Sequence, residues 1–182
     1  MVKIKTANTT SGDGRRVGRF ASAALGVALF AGQVSVAAAQ TITFDGIGLP
    51  CITYNIATAQ QAGRPAQLTR TMNQQTIAAN RSASCTAAYT NTVTQLNNEL
   101  GGVVFSCDEY AFASSTQGGA GNQAMIVPLV ENNTQGGMLA VFYNQNHIGD
   151  GGNFNVATSH VPQANQLNLG VVNGVQVCYG GN

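Results

Sequence analysis

Four cysteines that follow an export-type leader most constrain what this chain can fold into. The first twenty of its 182 residues carry five cations, and an apolar run of small residues leads from them to an Ala-rich stretch at residues 37–39. A basic start, a short apolar segment and an A-x-A-like site are typical of a secretory signal peptide. The apolar run is shorter than the ~20 residues that a membrane span needs. We therefore predict a signal peptide over residues 1–39 and a secreted, extracellular domain over residues 40–182, with no membrane anchor after cleavage.

All four cysteines lie in the predicted mature part. An even number in an exported chain indicates two disulfides, for which three connectivities exist. Zinc is not indicated, because no C-x-x-C pair occurs and the two histidines lie far from the cysteines in sequence. We favour Cys85–Cys107 together with Cys51–Cys178. The second bond would tie the first mature strand to the last and restrict the unfolded chain over a long loop.

The charge that remains after residue 40 is low and negative. Three arginines and no lysine stand against six acidic residues, so the net charge is −3. This balance excludes a basic surface that holds nucleic acid by charge alone. Chemistry on phosphate would need positive charge from another source, for which a metal ion is the best candidate.

Hydrophobic patterning predicts one small α+β domain. Alternating apolar and polar residues over 41–57 indicate two short strands around a Gly-rich turn. A segment without Gly or Pro over residues 71–89 indicates one upstream helix, since Thr71 and Gln74 resemble a capping box. The polar stretch over residues 91–102 is interpreted as a loop.

A strand–turn–strand–helix unit forms the predicted core of this domain. The predicted elements are strands at 103–107 and 124–130, a second helix from Gly136 to about Asn146, and late strands at 154–157 and 174–178. Pro128 within the second of these strands suggests a sheet edge or a bulge, because proline cannot donate to a neighbouring strand.

Acidic residues at the ends of the two central strands are the candidates for chemistry. Asp108 and Glu109 follow the first strand, whereas Glu131 and Asn132 follow the second. If the strands pair as a hairpin, Asp108 and Glu131 approach each other at one edge, where carboxylate and amide oxygens could hold a hard divalent cation. Successive strand residues point to opposite faces, so at most one of Asp108 and Glu109 would face a given site. The alternative is a solvated strand end on which one acid caps the turn.

These residues also carry a family resemblance. Five blocks occur in the order found in NucA/NucB-type deoxyribonucleases: CDEY at 107–110 within the stretch 106–114, the glycine pair at 118–119, VPLVEN at 127–132, QGG at 135–137 and FY at 142–143. A further piece at residues 64–85 is similar to the segment that precedes CDEY in secreted members. The resemblance covers about residues 64–154.

The resemblance implies a small secreted endonuclease that is metal-dependent, non-specific for sequence and related to the ββα-metal nucleases. Its substrate would be DNA, or both DNA and RNA, and we expect a monomer. Asp108 matches the aspartate that resembles a general base for water, and Glu109 matches the acid beside it. Asn132 would be a ligand of Mg²⁺ or Mn²⁺, with Glu131 as a catalytic acid residue that shares or supports that ion.

Phosphate contacts are expected from Asn144, His147 and Arg81. His147 is also a second candidate base, since histidine titrates near neutral pH, and equally a surface residue at a helix C-terminus.

Two features favour an alternative function. Ala111 stands where the family normally has Pro, and the mature chain has few basic residues. The alternative is a catalytically weakened nuclease-fold protein that acts as a secreted binding or structural module. Asn80 and Asn132 also begin N-glycosylation sequons. A glycan on Asn132 would block the expected metal ligand.

Overall fold

The computed structural model describes residues 39–181, in which helices and strands form an α+β fold. In chain order the elements are β1 (Gln40–Asp45), α1 (Pro50–Gln61), β2 (Gln67–Thr69), α2 (Gln74–Ser84), α3 (Ala87–Glu99), β3 (Phe105–Tyr110), β4 (Gln123–Pro128), α4 (Leu129–Gln145), β5 (Asn153–Ser159), β6 (Leu167–Val172) and β7 (Val175–Gly181). The predicted signal peptide lies outside the described residues, except for Ala39. Within the described part, no helix combines the length and the apolar character that a membrane span requires.

The strands form two sheets. In the three-stranded sheet, β5 lies between β1, to which it is parallel, and β2, to which it is antiparallel. In the four-stranded sheet the order is β3-β4-β7-β6, with β4 parallel to β7 and the other two pairs antiparallel. Since β3 is an edge strand, its outer side remains open to contacts with helices.

Helix α1 lies in the main core. Its residues Ile52 and Ile56 are fully buried, together with Phe44 of β1, Phe154 of β5 and Val127 of β4. Burial of these apolar side chains is the main contribution to the stability of the folded domain. The position of α1 among strands of both sheets makes it a fixed support for the residues that face β3.

The predicted second strand within residues 41–57 is wrong, because this part of the chain forms α1. Pro50 occupies the first turn of the helix, where its missing N–H is not needed. The polar side chains of Thr53 and Asn55 are fully buried. The polar residues that alternate with apolar ones in this segment are therefore buried in a helix and do not form the solvated face of a strand.

The upstream helical region also differs from the prediction. The helix expected over residues 71–89 begins as α2, because Asn73 Oδ1 accepts hydrogen bonds from the backbone N–H groups of Gln75 and Thr76. It ends at Ser84. A separate helix, α3, then occupies most of residues 91–102, so the loop predicted there is wrong.

The strand–turn–strand–helix core is confirmed. β3 and β4 pair antiparallel from Phe105 opposite Pro128 to Tyr110 opposite Gln123. However, β4 is an internal strand, and Pro128 is its last residue, directly before α4. Helix α4 begins at Leu129, about two turns earlier than the predicted start at Gly136. Strand β6 was not predicted.

Both favoured disulfides are confirmed. Cys51–Cys178 joins the first turn of α1 to β7, and Cys85–Cys107 joins the end of α2 to β3. The second bond holds α2 against the strand that carries the acid pair.

Candidate active site

A cavity of about 610 Å³ opens where the edge strand β3 meets α2 and α4. Its charged and amide lining residues are Arg70, Arg81, Asp108, Glu109, Asn132, Asn133 and Gln135. A cavity of similar size, about 630 Å³, is lined mainly by valines and other apolar or small residues and by no charged side chain. Acids, cations and amides therefore meet in the first cavity, which we describe as the candidate active site.

Asp108 is buried in this cavity, with only 2% of its surface exposed. Burial raises the pKa of its carboxyl to about 6, although the hydrogen bond from the Asn55 side chain and the nearby Gln135 amide oppose the shift. Asn55 Nδ2 donates to Asp108 Oδ2 at 2.8 Å, and Asn55 Oδ1 accepts from Gln123 Nε2 at 3.1 Å. This chain of hydrogen bonds fixes the orientation of the carboxylate.

Glu109 lines the same cavity as Asp108. Burial raises the pKa of its carboxyl to about 7, the negative charge of Asp108 contributes to the rise, and the Arg81 guanidinium opposes both effects. Arg81 Nε lies 3.8 Å from Glu109 Oε1, and the Arg81 side chain is 66% exposed. The expectation that only one of the two acids would face a given site is wrong, because both line this cavity beside the edge strand β3.

Glu131 lies in the first turn of α4 and is buried. Its Oε2 atom accepts hydrogen bonds from the backbone N–H groups of Cys51 at 2.9 Å and Ile52 at 3.2 Å. Burial raises the pKa of the Glu131 carboxyl, these two bonds lower it, and the charge of Asp108 raises it. The two carboxylates are thus close enough to interact, yet Glu131 is not among the described residues that line the cavity. It links the first turn of α4 to the first turn of α1.

Asn132 is half-buried beside the cavity. Its Nδ2 atom donates to Ser106 Oγ at 2.9 Å and to the carbonyl oxygen of Cys107 at 3.1 Å. These bonds orient the amide and leave Oδ1 as its acceptor. The same nitrogen is the atom that a glycan would need, and Asn80 Nδ2 is likewise engaged with two backbone carbonyls. At both sequons, the folded protein uses the acceptor nitrogen for internal bonds.

Arg70 and Gln135 are cavity residues that the sequence did not indicate as a site. The Arg70 guanidinium carbon lies 4.3 Å from the centre of the Tyr143 ring, and Nη1 donates to the carbonyl oxygen of Ile148. Gln135 is 4% exposed, and its Nε2 atom has no hydrogen-bond partner among the described residues. Its side chain nevertheless lies close enough to Asp108 to lower the pKa of that carboxyl.

The remaining expected contact residues divide between the cavity and the surface. Arg81 lines the cavity. Asn144 and His147 are exposed at the end of α4 and are not among the described residues that line the cavity. Asn55 was missed because its segment was interpreted as a strand. For Gln135 and Tyr143, the sequence offers one indication: each is four positions from Leu139, the spacing that places residues on the same face of a helix.

A comparison with models of known protein families shows to which family this chain belongs. The family model described as Deoxyribonuclease NucA/NucB matches residues 53–157, which is more than half of the sequence. The chain belongs to the NucA/NucB deoxyribonuclease family. The match runs from α1 to β5 and includes every residue that lines the cavity, so a nuclease role is supported. A search of curated proteins gave no significant match.

Proposed function

We propose that this NucA/NucB-family protein is a secreted, metal-dependent endonuclease that hydrolyses phosphodiester bonds of DNA without sequence preference. One observation carries the proposal: a buried carboxylate and two of the three arginines after residue 40 line the same cavity. Arginine is well suited to phosphate, because its planar guanidinium presents several donors. Contacts to phosphate are the same for every nucleotide, so they select no sequence.

Asp108 is the proposed general base. A carboxyl with a pKa of about 6 is largely ionised at neutral pH and can still accept a proton, which is the compromise that general-base catalysis requires. Asn55 engages Oδ2, so we propose that the other carboxylate oxygen takes the proton from the attacking water. Gln135 Nε2, which donates to no described residue, is a candidate donor for that water or for the scissile phosphate.

The oxygen atoms around Asp108 fit a hard divalent cation such as Mg²⁺ or Mn²⁺. Among residues 39–181, no cluster of three or more His, Cys, Asp or Glu side chains is placed to hold a metal. Mg²⁺ does not require such a cluster, since it often binds through one or two carboxylates and keeps several waters. We propose that Asn132 Oδ1 and Glu109, which line the same cavity, hold the ion, and that Glu131 supports this end of α4 through its bonds to α1. When bound, it would polarise the phosphate and stabilise the leaving oxygen.

Two features support secretion of this nuclease. Both disulfides join segments that are distant in sequence, and such bonds persist in oxidising compartments. The basic, then apolar start of the sequence has the order of a signal peptide.

The proposal is tested by plasmid nicking with the mature protein in Mg²⁺, in Mn²⁺ and in chelator. We expect nicking that requires the metal. Asp108→Asn should lower the rate at least ~100-fold, since general bases contribute factors of that size. Glu99→Gln removes the same charge from an exposed side chain at the end of α3 and should leave the rate unchanged.

Two results would contradict parts of this proposal. No nicking in either metal by folded protein with both disulfides would refute the enzyme and favour the binding module. Metal-dependent nicking that survives in Asp108→Asn would retain the enzyme but refute its assigned base.

A further inference from the structure

One cation in the candidate active site has no acidic partner. Within the described part of the chain the ion pairs are Arg81–Glu109 and His160–Asp45, and neither involves Arg70. Arg70 is half-buried and lines the cavity. A partly desolvated charge without a counter-charge is costly. An anion that enters the cavity would supply the missing counter-charge.

The Arg70 side chain is held in place before any ligand arrives. Its backbone N–H and C=O bond to loop residues 151–152 at 2.8 and 2.9 Å. The guanidinium stacks on the Tyr143 ring and donates to Ile148, while Tyr143 Oη lies 3.3 Å from Ser114 Oγ. A preorganised guanidinium loses little conformational entropy when it binds an anion.

Helix α4 separates Arg70 from the proposed base. Gln135, close to Asp108, and Tyr143, beneath Arg70, both line the cavity. These two residues are eight positions apart in α4, which corresponds to about 12 Å along the helix axis at 1.5 Å per residue. An anion bound by Arg70 therefore lies at a distance from the group that Asp108 would serve.

We propose that Arg70, stacked on Tyr143, binds a backbone phosphate of the DNA strand at least one nucleotide away from the bond that is cut. This inference rests on the proposed nuclease function and extends it, because it makes the substrate a strand of several nucleotides.

The test measures binding of a fluorescent single strand of about twelve nucleotides, a typical length for a single-strand groove. Asp108→Asn protein is used as the parent so that the strand is not cut, and anisotropy is recorded over a range of KCl concentrations. Arg70→Gln is compared in this parent with Arg64→Gln. Arg64 provides a matched control, because it is the third arginine and donates to Gly121 outside this cavity.

We expect Arg70→Gln to weaken binding about tenfold and to reduce the slope of log K against log salt by about 0.7, the value for one phosphate contact on a single strand. Arg64→Gln should change neither quantity. Arg70→Lys keeps the charge and the aliphatic stem but loses the planar fork, so it should weaken binding about threefold. Arg70→Lys decides the question if Arg70→Gln fails to fold, and unchanged binding of that variant would then refute the subsite.

Other outcomes separate this inference from the proposed function. Equal loss in the Arg70 and Arg64 variants would overturn the subsite, because general charge would then explain both. Displacement of the strand by micromolar inorganic phosphate would also overturn it, since the site would then prefer the free ion. If the parent binds no DNA at all, the nuclease proposal fails, and the subsite with it.

Discussion

Replacing Asp108 with Asn should make the metal-free protein more stable at pH 8. Burial raises the pKa of this carboxyl from 3.8 to about 6, so the wild-type protein holds a disfavoured charge in its cavity at that pH. Each pKa unit corresponds to 1.36 kcal/mol, so the charge lowers the free energy of unfolding by about 3 kcal/mol. Asn keeps the shape and an oxygen that can accept from Asn55 Nδ2. Loss of the charge also relieves Glu109, whose pKa Asp108 raises.

The gain depends on pH because the folded Asp108 carboxyl binds its proton more tightly than the unfolded one. Between about pH 4 and pH 6 the folded state therefore carries more protons than the unfolded state, and wild-type stability falls as the pH rises through this window. Above this window the full penalty is present. The advantage of Asp108→Asn should thus be largest above about pH 6 and disappear below about pH 4.

Thermal and urea unfolding in chelator at pH 8 and pH 4 measure this effect, with Glu99→Gln as the exposed control. A gain of about 3 kcal/mol corresponds to a rise in Tm of roughly 6–12 °C for a domain of this size. An unchanged or lower stability at pH 8 would refute the desolvation of this carboxyl. A gain of equal size at pH 4 would show that ionisation is not its cause.

Three further variants test the supports of the site. Asn55→Leu should lower kcat at least about tenfold with little change in KM, because Asp108 loses the donor that orients it. Steady-state nicking kinetics measure both constants, and a change confined to KM would contradict this role. Glu131→Ala should lower the free energy of unfolding by about 2–3 kcal/mol in urea, since two backbone N–H groups lose a charged acceptor, and a loss within error would argue against the link between the helices. Replacing Cys51 and Cys178 together by Ser should cost about 4–5 kcal/mol in the loop-entropy model, read from the unfolding midpoint.

The acid pair and its hairpin could be predicted from sequence because their signals are local. Residues 103–107 and 124–130 are apolar runs on either side of a Gly-rich turn, and Asp108 follows the first run directly. The cysteine pairing followed from the predicted export and from the benefit of closing a long loop. The hairpin depends on residues that are close in sequence, and the disulfides depend on cysteine, of which the chain has four.

The supports of Asp108 could not be predicted, because they depend on contacts between distant segments. Asn55 is 53 positions from Asp108. Because this polar residue is buried within α1, the segment does not show the apolar spacing of an ordinary amphipathic helix. The backbone of Arg70 forms an isolated β-bridge with Ser115, and no pattern in the sequence indicates this pairing. Gly136 suggested a helix start, yet it lies within α4, at a point where a Cβ atom would meet nothing within 4 Å. Its missing side chain leaves the cavity open there.

Each disulfide ends on an element that holds Asp108. Cys107 precedes Asp108 in β3, and Cys51 lies in α1, one turn before Asn55. The geometry of the proposed base therefore depends on the oxidation of four thiols. In a reducing cytoplasm both links would be absent, so the proposed secretion would also provide the conditions in which Asp108 is held in place. If the proposed nuclease is made in such a compartment, its site would stay unassembled beside the DNA of the producing cell until the two bonds form.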